Sequence, residues 1–347
     1  MISEQTRLVA TADARGGRRA TAPAAHRLVF PGGATQAADP LLVGHKFARQ
    51  AWLLAAGYRV PEFVCVSVEA FDTVQAETGI SAPAVRDSGE LAAWAARARA
   101  QVRGAGVPDG LAAALLEAYD RLTDDGGTVA VRSCAVPARA GAPGGGEEAA
   151  PAPGGGFLVV GRDELIDRVS QCWASAFTAE RVLDRFARGS DPAATRMAVG
   201  IQRLVRAERS FVAVSRELRS APDIADQAHL AAAYGLGEGV TRGRADVDRF
   251  SVDVGTGVVE LRTVRKTRRL VPADTGGTTV TEVPEDLAHR PVLDVQTARR
   301  IARLARGLEG HFGGPQEIEG AITADGEIHL VQARPAVVTR VGRRWPR

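Results

Sequence analysis

The sequence predicts an α+β fold in which two lobes face each other across a cleft. Three observations lead there. At 347 residues and 45% hydrophobic, the chain can bury a sizeable core, and its length falls between one large domain and two ordinary ones. Helix-period segments and short apolar strand-like runs both occur along its whole length. No repeat of solenoid period interrupts them.

The elements follow in chain order. Residues 1–25 are polar, Arg/Gly/Ala-rich and aperiodic, which reads as a disordered leader before the apolar run 26–31. Apolar residues recur at helical spacing over 41–56; Gly57 stops that helix, and Val60-Pro61 leads into a valine-rich buried strand over 63–68. Helical periodicity returns over 88–103 and 110–122, and 128–132 reads as a strand ending in a charge. Residues 137–156 collapse into Gly, Pro, Ala and two glutamates, too little apolar surface to repay ordering, so a mobile loop is expected. A strand over 157–160 and helices over 162–175 and 179–188 come next, then 197–205 and 210–215 alternate like a pair of strands. A Gly-rich turn at 234–243 precedes a hairpin of 249–253 with 258–265, then a helix over 295–312 and a last hairpin over 316–338. The expected division is leader 1–25, first lobe 26–196 and second lobe 197–340.

Composition narrows the function classes. No basic-then-apolar start and no run of about 20 apolar residues occur, so a soluble chain is expected, with no membrane association. The three cysteines, Cys65, Cys134 and Cys172, form no CxxC pair, which fits a reducing, cytoplasmic setting with the thiols buried as packing. A net charge of +3 is spread over arginines with acids between them and only 5% aromatics. That pattern offers no basic-aromatic platform for nucleic acid and suits a phosphorylated small molecule. Of 44 basic residues only Lys46 and Lys266 are lysines, which marks them as places where a compact ammonium is wanted instead of a planar fork, or as chance survivors. The six histidines have no metal-ligand spacing.

The last hairpin yields a cluster from turn geometry. Asp325-Gly326 is the dipeptide that best fills a two-residue type I′ turn. With Ala324 facing Glu327, Glu319 lies across from Gln332 and Glu317 across from Arg334, all on one face of the sheet. Two carboxylates and an amide oxygen are hard ligands of the kind Mg²⁺ prefers, and an adjacent arginine can grip phosphate. The same pattern also suits a solvent-facing strand pair with a cross-strand bridge worth below ~1 kcal/mol.

These residues carry a resemblance. Glu317-Ile-Glu319, then Leu330-Val-Gln332-Ala-Arg334-Pro335, resembles the closing signature of the ATP-binding domain shared by phosphoenolpyruvate synthase, pyruvate phosphate dikinase and rifampin phosphotransferase. Upstream, Val43-Gly44-His45-Lys46 and Ala56-Gly57-Tyr58-Arg59-Val60-Pro61 resemble that family's "GGK…AGFPVP" opening, and Val129-Ala130-Val131-Arg132-Ser133 its "VAVRSS". Cys172-Trp173-Ala174-Ser175, Val199 to Val205, Gly235-Leu236-Gly237-Glu238 and His311 to Pro315 continue the series in order, so the likeness spans 41–338. The resemblance implies an ATP-grasp fold with ATP between the lobes. It implies Lys46 and Arg132 on the phosphates, Gln202, Leu204 and Val205 along the adenine, Glu319 and Gln332 on Mg²⁺ with Glu317 nearby, and Arg334 on the phosphoryl group in flight. Lys266 falls where the family often has lysine and receives no role.

The sequence also departs from the pattern. The family's acidic and Phe-Ala-Gly-Gln stretch over the phosphates is replaced by 137–156; His45 and Phe211 stand for glycines, Ser215-Arg216-Glu217-Leu218 for a Thr-x-Asp-Pro-like turn, and Gly320 for a tryptophan. No phosphohistidine or acceptor domain follows Arg347, so the acceptor is expected to be a separate phosphohistidine domain protein or a small molecule reaching the cleft. Three functions are carried forward: an ATP- and Mg-dependent phosphotransferase, a degenerate nucleotide-binding or scaffolding subunit, and an ATP-grasp ligase activating a carboxylate.

Overall fold

Runs of valine and alanine buried on both faces build the first of two antiparallel sheets. The computed structural model describes residues 28–84, 87–123, 127–136, 158–216, 227–273 and 276–336. The expected leader 1–25 and loop 137–156 lie outside the described residues. The first lobe runs β1 (Val29–Pro31), α1 (Pro40–Ala55), β2 (Phe63–Val66), α2 (Val68–Thr78), α3 (Ser88–Ala105), α4 (Asp109–Leu122), β3 (Val129–Val136), β4 (Leu158–Val160), α5 (Leu165–Ala174), α6 (Ala179–Ala187) and β5 (Arg196–Arg203). Its sheet has the order β1-β2-β5-β3-β4. The second lobe comprises β6 (Arg209–Val214), β7 (Gln227–Tyr234), α7 (Glu238–Thr241), β8 (Asp248–Asp253), β9 (Val259–Arg262), β10 (Arg268–Pro272), β11 (Thr278–Glu282), α8 (Glu285–Ala288), α9 (Val295–Phe312), β12 (Gln316–Ile322) and β13 (Ile328–Pro335). Its main sheet has the order β13-β12-β6-β7-β8-β9, with β10 and β11 as a separate ribbon.

The long helices form where the sequence supplies both caps and an apolar stripe. Asp294 accepts from the Thr297 amide at 2.7 Å to start α9, and Gly313, at φ 74°, ends it in the left-handed conformation. Between them Ala298, Ile301, Ala302, Ala305 and Leu308 are buried at helical spacing. In α1, Asp39 caps through the Leu41 amide at 2.8 Å, and Pro40 takes the first helical position.

Helix α1 joins the lobes. It packs on β3 and β5 of the first sheet and on β13 of the second. Gly200 in β5 makes room for it, since a Cβ there would lie 2.1 Å from the Phe47 ring. One hydrophobic core therefore runs from Phe30, Phe47 and Phe63 through to Phe211, Leu230, Ile301 and Ile318. A second core, built on Phe71, Tyr119, Trp173 and Phe177, belongs to the first lobe alone.

Two expectations are corrected. Residues 197–205 were expected to open the second lobe as the first of two strands, with 210–215 as the other. Instead β5 lies between β2 and β3 in the first sheet, while β6 pairs with β12 and β7. The reason is burial: Met197 to Gln202 are all buried, as only a central strand can be. The chain crosses between the two sheets over residues 204–208, after β5 ends at Arg203. Elements were also missed. Helix α2 follows β2 with no breaker between them, and β7 is alanine-rich, so packing between β6 and β8 overrides its weak strand propensity. Two α+β lobes with a strand crossover between them match the ATP-grasp architecture expected above.

Candidate functional site

The β12–β13 ribbon presents the expected cluster by a route different from the one its turn dipeptide suggests. Thr323, not Ala324, faces Glu327: its amide donates to the Glu327 carbonyl at 3.1 Å, and the Gly326 amide donates to the Thr323 carbonyl at 2.9 Å. Gly326 sits at φ 83°, so the turn has three residues and closes on a left-handed glycine. That shifts the register by one. A β-bulge at Glu319/Gly320 then leaves Val331 as the extra residue on β13, and the shift is undone. Beyond the bulge Glu319 faces Gln332 and Glu317 faces Arg334, as expected. Arg334 donates from Nε and Nη2 to Glu317 Oε1 at 3.0 and 2.6 Å.

The first lobe adds its basic residues to the same face. Gly44, at φ 78°, breaks helical geometry within α1, and a Cβ there would lie 2.3 Å from Cys134 Sγ. This contact presses the start of α1 onto β3 and brings Lys46 Nζ to 3.4 Å from the Ser133 carbonyl. Arg132, buried at the centre of β3, reaches across to the second lobe. It donates from Nη1 to the Val331 carbonyl at 2.7 Å and from Nη2 to Gln332 Oε1 at 2.5 Å, with Glu319 Oε2 3.9 Å away. Burial raises the Glu319 carboxyl above the ordinary glutamate value; Arg132 opposes this, Glu317 adds to it, and Arg334 and Lys46 oppose it. A half-buried carboxylate held above its normal range beside a second carboxylate is a site that an added cation would stabilise. Glu319 and the amide oxygen of Gln332 are oxygen donors of the kind Mg²⁺ takes, and the Gln332 oxygen keeps a lone pair beside Arg132.

Gln202, Leu204 and Val205 lie at the end of β5 and in the crossover between sheets. The Gln202 side chain turns inward, donating to Gln50 Oε1 at 3.2 Å and to the Pro61 carbonyl at 3.3 Å. Leu204 and Ala207 pack on Val159, Leu236 and Leu270, an apolar patch shared by both lobes. The other singled-out residues have structural roles. Gly235, at φ 82°, approaches the Leu270 carbonyl so closely that a Cβ would be 2.2 Å from its oxygen, so this turn seats the β10–β11 ribbon. Lys266 is fully buried and donates to both Asp248 oxygens, at 3.1 and 3.0 Å, and to Thr263 Oγ1 at 3.0 Å. All three cysteines are buried; burial raises the Cys65 thiol and pushes Cys172 up to about 12, so both stay protonated as packing groups. Among the described residues no group of three or more His, Cys, Asp or Glu could hold a metal, and no helix is long and apolar enough to cross a membrane.

Two of the departures compensate each other. Phe211 and Gly320 are cross-strand partners, and a Cβ on Gly320 would lie 2.2 Å from the Phe211 ring. The large residue has moved to the neighbouring strand, so the space is filled. The site residues that sequence reasoning missed are Gln50 and the Val331 backbone. Gln50 left a trace, as a polar residue on the buried stripe of α1 with Val43, Phe47 and Ala51. Val331 contributes only a carbonyl, on which side-chain chemistry is silent.

Residues 41–344 match the model of the pyruvate phosphate dikinase AMP/ATP-binding domain. A probable phosphoenolpyruvate synthase of Methanocaldococcus jannaschii is 29% identical over 88% of this chain and 26% of its own length. A rifampicin phosphotransferase of a Streptomyces species is 34% identical over 80% of this chain and 32% of its own. The chain thus spans less than half the length of these curated relatives. The solved ADP complex of purK, N5-carboxyaminoimidazole ribonucleotide synthetase, aligns over 84% of the chain at 12% identity with a TM-score of 0.31, too loose a likeness to support an argument. With a family match over most of its length, this chain belongs to the family of the pyruvate phosphate dikinase AMP/ATP-binding domain.

Proposed function

We propose that the chain binds Mg-ATP between its lobes and transfers a phosphoryl group to a histidine on a separate phosphohistidine domain or to a small molecule entering the cleft. The observation that carries this is the convergence of Arg132 from one lobe on Gln332 and Glu319 of the other, with Lys46, Glu317 and Arg334 acting on the same carboxylate. Lys46 supplies a point charge and Arg132 a fork for the phosphate oxygens. The crossover Gln202, Leu204 and Val205 lies along the adenine. Glu319 and Gln332 would hold Mg²⁺ with Glu317 beside them, and that ion, when bound, would neutralise charge on the phosphate oxygens. Arg334 exchanges its Glu317 contact for the phosphoryl oxygens as the bond to the leaving nucleotide breaks and the acceptor bonds to phosphorus. Such a transfer depends mainly on positioning and charge, which these residues supply.

The test is calorimetry with Mg-ATP, followed by product analysis with and without an added phosphohistidine domain. Binding with AMP release supports dikinase chemistry. ADP release supports a simple kinase or a carboxylate-activating ligase, distinguished by which acceptor is consumed. Absence of heat would refute the nucleotide site, while binding with no turnover toward any acceptor would leave a nucleotide-binding scaffold as the function.

A further inference from the structure

Gln50 lies outside every role proposed so far, yet its surroundings are unusual for a helix residue. It is fully buried, on a stripe of α1 otherwise made of Val43, Phe47, Ala51 and Leu53. A buried amide persists only when both its ends are paired. Here both are: Nε2 donates to the Val331 carbonyl of the second lobe, and Oε1 accepts from Gln202 Nε2 at 3.2 Å. The Val331 carbonyl belongs to the bulged residue of β13 and also accepts from Arg132 Nη1 at 2.7 Å. The two donors, from α1 and β3, therefore meet on one oxygen, whose two lone pairs can serve both. The next residue on β13 is Gln332, which Arg132 holds through its other nitrogen.

We infer that Gln50 is a positioning residue: it fixes the bulge carbonyl of Val331, and so the angle at which Arg132 faces Glu319 and Gln332, and ties both to Gln202 beside the inter-lobe crossover. This rests on the proposal that Mg-ATP binds at that face. Through Gln50, a base against the crossover and a phosphate against Arg132 are sensed by one continuous set of buried hydrogen bonds. Without its amide, β13 still pairs with β12, but the carbonyl that aligns Arg132 has lost its second donor.

The test uses Gln50→Met, which preserves length and apolar fit but cannot donate. Calorimetry with Mg-ATP is expected to show about tenfold weaker binding, equivalent to ~1.4 kcal/mol, with a melting temperature close to wild type. In the Arg132→Ala background the same substitution is expected to change nucleotide affinity little, because the two residues act through one carbonyl. Losses that multiply in the double variant would assign Gln50 to packing alone and overturn the inference. Gln50→Glu gives an independent reading should the methionine variant fail to fold. Its ionised carboxylate faces the Val331 carbonyl and repels it, whereas its protonated form can donate as the amide does. Its affinity relative to wild type should therefore recover as pH falls, and a ratio that stays flat would sink the inference. If wild type itself gave no heat with Mg-ATP, the site reading would fail first, which is a separate result from a wild type that binds while Gln50→Met binds equally well.

Discussion

At the scale of single residues, the two lysines show why an ammonium survives in an arginine-rich chain. Lys266 is enclosed with Asp248, and that carboxylate also takes the Val264 and Val292 amides at 3.0 and 2.8 Å. Removing one partner of such a pair strands a buried charge, so Lys266→Ala should cost about 3–5 kcal/mol in denaturant unfolding, through a site unrelated to the nucleotide. Lys46 differs, because it stands at the cleft on a kinked helix start. Lys46→Ala and Arg334→Ala should each abolish ATP consumption while leaving the melting temperature within a few degrees; normal turnover in both would refute their assignment. Glu319 gives a pH signature. Burial raises its carboxyl in the folded state, so it favours the protonated form and contributes stability at low pH that is lost as pH rises through the raised value. The stability of the free protein relative to Glu319→Gln should thus rise as pH falls toward the ordinary glutamate range, a difference that isolates Glu319 from the aspartates held below their usual range, Asp246, Asp253 and Asp294 among them. Mg-ATP affinity should move oppositely, weakening as pH falls, because the proton and the cation compete for the same oxygens.

Between elements, contacts distant in sequence decide what fits. Gly320 on β12 and Phe211 on β6 are a matched pair, so Gly320→Ala should cost about 1–3 kcal/mol by overpacking, whereas in a Phe211→Ala background it should cost less, because only the close contact with the His329 carbonyl, 2.9 Å from the added Cβ, remains. Equal penalties in both backgrounds, read from chemical denaturation, would show that the two are not complementary. The joint between α1 and α9 is aromatic. Trp52 stacks on His311 with ring centroids 3.6 Å apart and meets Phe312 edge-on at 4.8 Å, while Arg49 lies 4.5 Å above the Phe312 ring and donates to Gln316 at 2.9 Å. Through these contacts the first lobe's connecting helix grips the end of α9 just before β12 begins. Trp52→Ala should lower stability by about 2 kcal/mol, less than the ~3–5 kcal/mol of a fully buried aromatic, because the ring is only half-buried.

For the whole molecule, ligand linkage offers the broadest test. A nucleotide that bridges both lobes binds only the folded chain, so Mg-ATP at 100 times its dissociation constant should stabilise it by about 2.7 kcal/mol. The rise in melting temperature should vanish when magnesium is chelated. Much of this organisation was legible in the amino acids themselves. Helix α9 matches its expected bounds because its Asp294 cap, apolar stripe and Gly313 stop are all local signals. The facing of Glu317, Glu319, Gln332 and Arg334 came out as expected although the turn did not, because a three-residue turn and the bulge at Val331 cancel. The sequence by itself determined which residues carry charge on the closing ribbon, since side chains alternate along a strand whatever lies beyond it. Only the tertiary structure decided that β5 belongs to the first lobe, that Phe211 fills the space above Gly320, and that Gln50 and Arg132 meet on one carbonyl of the opposite lobe. Those arrangements join residues far apart in the chain, and what selects them is the burial of strands, rings and amides against one another, which no local pattern encodes.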